Sequence, residues 1–201
     1  MSNYFDIYTV GVGGQGLLTI SDIITQAAAD KGIGVNFFPT KGMAQRGGFV
    51  KTQLRLGREA GSYSPSISPG GADLIVSMEL SETLKAVRYG KRGADYVILG
   101  LRWQPTAVML GKAPYPDEKQ VVGEIRENGG VAHYFAPEAM PDGARANIYM
   151  LGAAHAHSRL NSFFSKRDME KIITESWKSA AQENIEAFRA GCSAPEKDIA
   201  V

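Results

Sequence analysis

Cysteine is nearly missing from this chain. Cys192, close to the C-terminus, is the one cysteine in 201 residues. An internal disulfide is therefore impossible, and so is a cysteine-ligated iron–sulfur cluster built from this chain alone. Such scarcity fits a reducing cytoplasm. Excess charge is missing too: the formal net charge is +1, so bulk electrostatics draws the chain neither to nucleic acid nor to a membrane surface. Short basic pairs, Lys91-Arg92 and Lys166-Arg167, read as solvated surface. No apolar run approaches the ~20 residues of a membrane span. Met1 to Asp6 shows no basic region leading into an apolar stretch, which argues against a signal peptide. A Gly-x-Ser-x-Gly turn is absent, and Ser64, Ser66 and Ser68 lie in a proline-rich stretch, so a serine hydrolase is excluded. There is no internal repeat.

What remains is an ordinary globular composition, 44% hydrophobic and 21% charged, long enough to bury a core without disulfides or a structural metal. Residues 1–191 read as one domain. Residues 192–201, which mix Pro195 with charges, read as a flexible tail.

Phe5 to Val10 is an apolar run ending in glycines, as a buried strand would be. From Leu17 to Lys31 the apolar residues Leu17, Ile20, Ile23, Ile24, Ala27 and Ala28 fall on one helical face, and Gly32 and Gly34 stop the helix. Val35 to Phe38 reads as a second strand, completing a βαβ pattern. Val50 to Leu56 alternates, with Lys51, Gln53 and Arg55 on an open face. Ser62 to Gly71 is a loop. A second alternating block gives a strand over Ala72–Met78, a helix over Leu80–Tyr89 and a strand over Tyr96–Leu99. Leu101–Pro116 is irregular. A helix over Val121–Glu127 and a strand over Val131–Phe135 follow. Helices over Asn147–Ser158 and Lys166–Arg189 close the chain, the last with Met169, Ile172, Ile173, Ser176, Trp177, Ala180, Ile185 and Phe188 along one stripe. This order implies an α/β fold, Rossmann-like and doubly wound, with a mostly parallel sheet and a helical C-terminal segment.

Two segments stand where such a sheet binds ligands. Gly11-Val12-Gly13-Gly14-Gln15-Gly16 fits G-x-G-x-x-G between a strand and a helix. Its glycines permit a tight turn, and the helix N-terminus offers N–H groups to an anion. The same turn also serves as a crossover that binds nothing. A nicotinamide dinucleotide site wants a carboxylate ending the second strand, but that strand runs Asn36-Phe37-Phe38-Pro39-Thr40-Lys41, and Asp30 comes too early. The second segment is Lys41-Gly42-Met43-Ala44-Gln45-Arg46-Gly47-Gly48. Arg46 can grip a phosphate or carboxylate through two N–H groups, and Gln45 can direct a carbonyl or hydroxyl. Equally, Arg46 can cap a neighbouring helix or meet a carboxylate across a subunit boundary.

The glycine turn followed some thirty residues on by Gly-Met-Ala-Gln-Arg-Gly-Gly resembles the beta subunit of indolepyruvate ferredoxin oxidoreductase. That subunit is equivalent to the gamma subunit or domain of pyruvate and 2-oxoglutarate ferredoxin oxidoreductases. Gly71 to Glu79, a strand ending in glutamate, resembles the family's pattern. So do Asn147-Ile148-Tyr149-Met150-Leu151-Gly152 and Asn184-Ile185-Glu186-Ala187-Phe188-Arg189-Ala190-Gly191. The resemblance implies a subunit of a complex that oxidatively decarboxylates an aryl pyruvate or related 2-oxoacid to an acyl-CoA and reduces ferredoxin. Thiamine diphosphate and [4Fe-4S] clusters would lie in a large partner subunit, and this chain, with no catalytic residue of its own, would contact coenzyme A or substrate. The chain's own residues agree: besides lacking cysteines, it lacks a Gly-Asp-Gly thiamine signature. On this resemblance the cofactor-side residues are Gly11, Gly13, Gly14, Gln15, Gly16, Lys41, Gly42, Met43, Gln45, Arg46, Gly47 and Glu79. The rival reading is a stand-alone Rossmann-like nucleotide-binding or regulatory module.

Other candidates read as structural. Glu79 either reaches a partner's cofactor or caps the helix after it. His155 and His157, two apart on a helix, point in different directions, and His133 sits on a strand, so the three read as ordinary histidines and no metal is expected. Trp177 reads as core or interface packing.

Overall fold

The computed structural model describes residues 4–39, 48–58 and 64–201. In chain order the elements are β1 (Phe5–Val12), α1 (Leu17–Asp30), β2 (Val35–Pro39), β3 (Phe49–Leu56), β4 (Ala72–Ser77), α2 (Leu80–Ala86), β5 (Gly90–Leu99), α3 (Thr106–Met109), α4 (Glu118–Glu127), β6 (Val131–Phe135), α5 (Ala146–Ala156), α6 (Leu160–Phe163), α7 (Lys166–Ser176) and α8 (Ala181–Cys192). Among the described residues no helix is long and apolar enough to cross a membrane.

The strands form one sheet in the order β2-β3-β1-β4-β5-β6. From β1 to β6 the four central and distal strands are parallel, as the alternating sequence implies. β1 and β4 are buried on both faces, and alternate residues of the sheet enter opposite cores. On one side Ile7, Leu74, Val76, Val97 and Leu99 meet α1, α5, α7 and α8. On the other Tyr8, Val10, Ile75, Tyr96 and Ile98 meet α2 and α4. The six apolar positions read on α1 are all buried.

The other half of the sheet departs from the expected βαβ unit. β3 lies between β1 and β2 and runs antiparallel to both, pairing Gly11 with Val50 and Phe37 with Leu54. β2 is thus an edge strand one place removed from β1. The sheet remains mostly parallel, but its order is not that of a Rossmann domain. On β3, Gln53 is buried rather than open, and its Oε1 accepts from Ile67 N at 2.5 Å, tying the proline-rich loop down. Arg55 and Arg58 close on the buried carboxylate of Asp6 at 2.9 and 3.0 Å.

The C-terminal helix breaks where one stripe was expected to continue. Trp177 leaves helical geometry at φ −137°, ψ 78°, and Ser176 is exposed. A straight helix over Lys166–Arg189 would reach ~36 Å. The break instead folds α8 back against α5, where Gly152 faces Gly191 and no side chain separates the backbones: a Cβ on Gly152 would stand 2.0 Å from Phe188 O, and one on Gly191 only 1.8 Å from Tyr149 O. Two of the segments singled out by resemblance are therefore the two sides of one close helix crossing. Residues 192–201, read as flexible, lie in contact with the sheet edge. Lys197 N donates to Tyr134 O at 2.9 Å, and Ala194 and Ile199 are buried.

Candidate functional site

The C-terminal ends of β1 and β4 carry the glycine turn and Met78-Glu79 side by side, with Met78 N donating to Val10 O at 2.9 Å. Gly11 is buried at the end of β1, Gly13 N–H reaches Gly48 O at 2.8 Å, and Gly14 is exposed at φ 101°. Gly16 caps α1 in the left-handed region, φ 78°, with no side-chain cap on the helix. A Cβ there would meet Asn147 Nδ2 at 2.4 Å, and that same amide donates to Gly16 O at 3.3 Å. Only glycine satisfies both demands. The first turn of α1 holds no acidic residue, so no carboxylate there offsets the positive end of the helix.

Gln15 and Glu79 are already engaged. Gln15 Oε1 accepts from Val12 N at 2.7 Å, and Nε2 donates to Met78 O at 3.2 Å, stapling the turn to β4. Glu79 is fully buried. Its Oε2 accepts from Glu82 N at 2.7 Å and Ser81 Oγ at 2.8 Å, capping α2, while Oε1 accepts from Trp103 N at 3.0 Å and from the Tyr115 hydroxyl. Of the two readings of Glu79, the cap is the one the geometry displays. Burial and the adjacent Glu79 carboxylate push the Tyr115 hydroxyl far above its ordinary pKa, so it stays a donor. Lys41, Gly42, Met43, Gln45, Arg46 and Gly47 lie outside the described residues. Gly48, the far end of that segment, is held against the turn by its bond to Gly13.

Sequence reasoning missed a second feature. Between α2 and the strands β1 and β3, an open cleft of roughly 430 Å³ is lined by Tyr8, Phe49, Lys51, Lys85, Arg88 and Tyr89. The Tyr8 and Tyr89 rings stack at 4.4 Å, Lys51 Nζ stands 5.8 and 5.7 Å from their centroids, and Arg88 lies 5.0 Å over Tyr89. Lys85 is paired with Glu82 at 2.7 Å. The Arg88 hydrogen bond lowers the pKa of Tyr89, against burial. Cations over aromatic faces suit a ligand that is planar in one part and anionic in another. The lining comes from β1, β3, α2 and the turn after it, so the one sequence signal was Lys51 on the open face of an alternating strand.

Cys192 is partly buried at the end of α8, and burial pushes its thiol up to about 11. It is an inert packing residue, neither nucleophile nor ready ligand. His155 and His157 do point apart, as their spacing implies. His155 is buried, donating from Nε2 to Phe164 O at 2.8 Å, with its ring 5.7 Å from that of Phe188. His157 turns instead toward His133. Trp177 is half-buried beneath Arg145, 5.6 Å above its ring.

A parallel-strand edge whose carboxylate and amide serve the framework, beside a glycine turn and an uncapped helix, is that of a scaffolding α/β domain. The chain belongs to the pyruvate ferredoxin/flavodoxin oxidoreductase family, whose profile matches residues 6–194. It is 30% identical over 198 residues to the indolepyruvate oxidoreductase subunit IorB of Archaeoglobus fulgidus, covering 92% of each chain. With the subunit of the same name from Methanothermobacter thermautotrophicus it shares 35% over 156 residues, 76% of this chain and 78% of that one. Among solved structures, pyruvate oxidoreductase subunit PORC of Thermotoga maritima superposes with a TM-score of 0.67 at 22% identity, over 96% of this chain and 97% of the other. The gamma subunit of a keto/oxoacid ferredoxin oxidoreductase from Geobacter sulfurreducens gives 0.62 at 23%, over 94% and 96%. A 2-oxoglutarate:ferredoxin oxidoreductase from Magnetococcus marinus, solved with 2-oxoglutarate, coenzyme A and succinyl-CoA, gives 0.66 at 20%, over 96% of this chain and 31% of that one. These structural likenesses show a shared fold.

Proposed function

We propose that this chain is the gamma-type subunit of an oxidoreductase that decarboxylates indolepyruvate or a related aryl pyruvate to an acyl-CoA. The observation that carries the reading is its near full-length likeness to indolepyruvate oxidoreductase subunits. A large partner subunit would hold thiamine diphosphate and [4Fe-4S] clusters, with ferredoxin taking the electrons. Those groups supply the redox chemistry. The residues of this chain position and enclose: the glycine turn and the Lys41–Gly48 segment form a wall of the substrate or coenzyme A site. The Tyr8–Tyr89 cleft offers aromatic faces and cations of the kind that adenine and phosphate groups need. Exposed Trp103, Met109 and Leu110, clustered in the Leu101–Pro116 stretch, present apolar surface for the partner.

The test is co-expression with the large subunit. The pair should co-elute at micromolar concentration and reduce ferredoxin when given indolepyruvate and coenzyme A, faster than with pyruvate or 2-oxoglutarate. This chain alone, reconstituted with iron, sulfide and thiamine diphosphate, should stay colourless and inactive. Separate elution, or turnover by the single chain, overturns the reading.

A further inference from the structure

His133 on β6 and His157 just beyond α5 meet a carboxylate from the far end of the chain. Glu196 Oε1 lies 3.1 Å from His133 Nδ1 and 2.6 Å from His157 Nδ1. The ligand-capable atoms of the three residues all lie within 4.8 Å of one another. The second nitrogen of His133, Nε2, is 3.3 Å from Asp95 Oδ1 on β5. An ionised carboxylate only accepts, so Nε2–H donates to Asp95, and Nδ1, which faces Glu196, gives up its proton when an ion takes its place there. Carboxylate on one nitrogen and an outward lone pair on the other is how proteins hold a metal-ligating histidine. The His157 ring is steadied edge-on by Phe135, with centroids 5.2 Å apart.

We propose that His133, His157 and Glu196 form a site for a zinc-class divalent ion that fastens the C-terminal tail to β6 and to the end of α5. Two imidazoles and one carboxylate select zinc and its neighbours over Mg²⁺ and Ca²⁺, which take shells of oxygen. The ligands of a tetrahedral ion at ~2.1 Å stand roughly 3.4 Å apart. Glu196 must therefore draw back by less than about one ångström, and its side chain, 39% exposed, is placed to do so. Water completes the fourth position. Lys197 N already binds Tyr134 O and Ile199 is already buried, so the ion tightens a docked segment rather than capturing a loose one. Sequence spacing gave no sign of this set, because its members come from a strand, a helix end and the tail.

The experiment uses the full-length, untagged chain stripped with a chelator. Titrated with Zn²⁺, it should bind one ion per chain and melt at a higher temperature; at a free ion level one hundred times Kd the folding equilibrium constant rises about a hundredfold. Co²⁺ should give the visible absorption of a low-coordinate nitrogen and oxygen site, and Mg²⁺ should change nothing. Glu196→Gln, which gives up its ionic contacts to both rings, should melt somewhat below the parent without the ion and lose most of the Zn²⁺ shift. Asp95→Asn, which touches no ligand position, should weaken binding about ten- to a hundredfold, a change that incidental surface binding would not show. The proposal is overturned if micromolar Zn²⁺ leaves the melting temperature unmoved. It is equally overturned if Glu196→Gln and a His133→Gln/His157→Gln double variant bind the ion as tightly as the parent.

Discussion

Gly152→Ala sets two physical effects against each other. In an isolated helix the change is favourable by ~1 kcal/mol, because alanine is the best helix former and glycine among the worst. Here the new Cβ would stand 2.0 Å from Phe188 O and 2.9 Å from Cys192 N, both backbone atoms that no rotamer change can move. Restoring ordinary contact means parting α5 and α8 by about 1.4 Å. A gap of that size forfeits much of the dispersion energy of the atoms that line it, among them Phe188 and Ala187, which are buried in the larger core. Overpacking of this kind costs ~1–3 kcal/mol and more where backbone must shift. The expected net loss is roughly 2–4 kcal/mol, or a fall of roughly 5–15 °C in Tm for a chain of this size. Urea unfolding measures it, with Gly123→Ala as control: Gly123 is also helical, but its added Cβ would meet only the side chain of the C-terminal Val201, at 3.3 Å. The control should be neutral or gain up to ~1 kcal/mol. If Gly152→Ala stabilises the chain as the control does, the close crossing of α5 and α8 is refuted.

Glu79→Ala should lower stability by about 2–4 kcal/mol, from a lost cap and from donors at Trp103 and Tyr115 left without their acceptor; a near-neutral result in urea unfolding would contradict its buried, fully engaged carboxylate. Arg46→Ala in the assembled complex should cost about ten- to a hundredfold in turnover or coenzyme A affinity, with Arg46→Lys a poor substitute and little change in melting temperature; normal kinetics in both variants would leave the segment without a ligand role. Burial lowers the pKa of His155 below its ordinary 6.5, and Nδ1 has no partner among the described residues, so the unfolded chain takes up a proton there more readily than the folded one. Its contribution is complete above the unfolded pKa and lost as pH falls. Between about pH 7 and pH 5.5 the parent should therefore lose stability faster than His155→Leu, and parallel slopes would exclude this cause.

Elements whose local pattern and tertiary role agree were legible in the sequence. α1 is the clearest case: six apolar positions on one face, all buried. Strands buried on both sides, such as β4, read as apolar runs. What escaped notice was set by partners distant in the chain. Nothing local says that β3 enters between β1 and β2, since its alternation suits any half-covered neighbour. The helix break after Ser176 follows from the α5–α8 contact, not from a glycine or proline. The meeting of the glycine turn and Glu79 was legible, but not what their side chains do there. The glycine turn and Glu79 do meet at one strand edge, yet Gln15 and Glu79 spend their polar atoms on the backbone around them. The Tyr8–Tyr89 cleft and the His133–His157–Glu196 cluster draw on residues far apart in the chain, sixty-three positions between His133 and Glu196, and leave no spacing to recognise.

The insertion of β3 changes what kind of connection the Lys41–Gly48 segment is. In a βαβ unit, a loop at this edge leads into a helix, and altering it disturbs helix packing. Here it joins two neighbouring antiparallel strands, and both its anchors are fixed by the sheet: Pro39 opposite Thr52 on one side, Phe49 opposite Val12 on the other. Its length and residues can therefore change without moving the framework, much as a tool bit is exchanged in a fixed chuck. On the function proposed above, this separates two evolutionary tasks, keeping the subunit folded and altering what a site beside this segment accepts. Grafting the segment from a relative that prefers another 2-oxoacid becomes a local operation on eight residues.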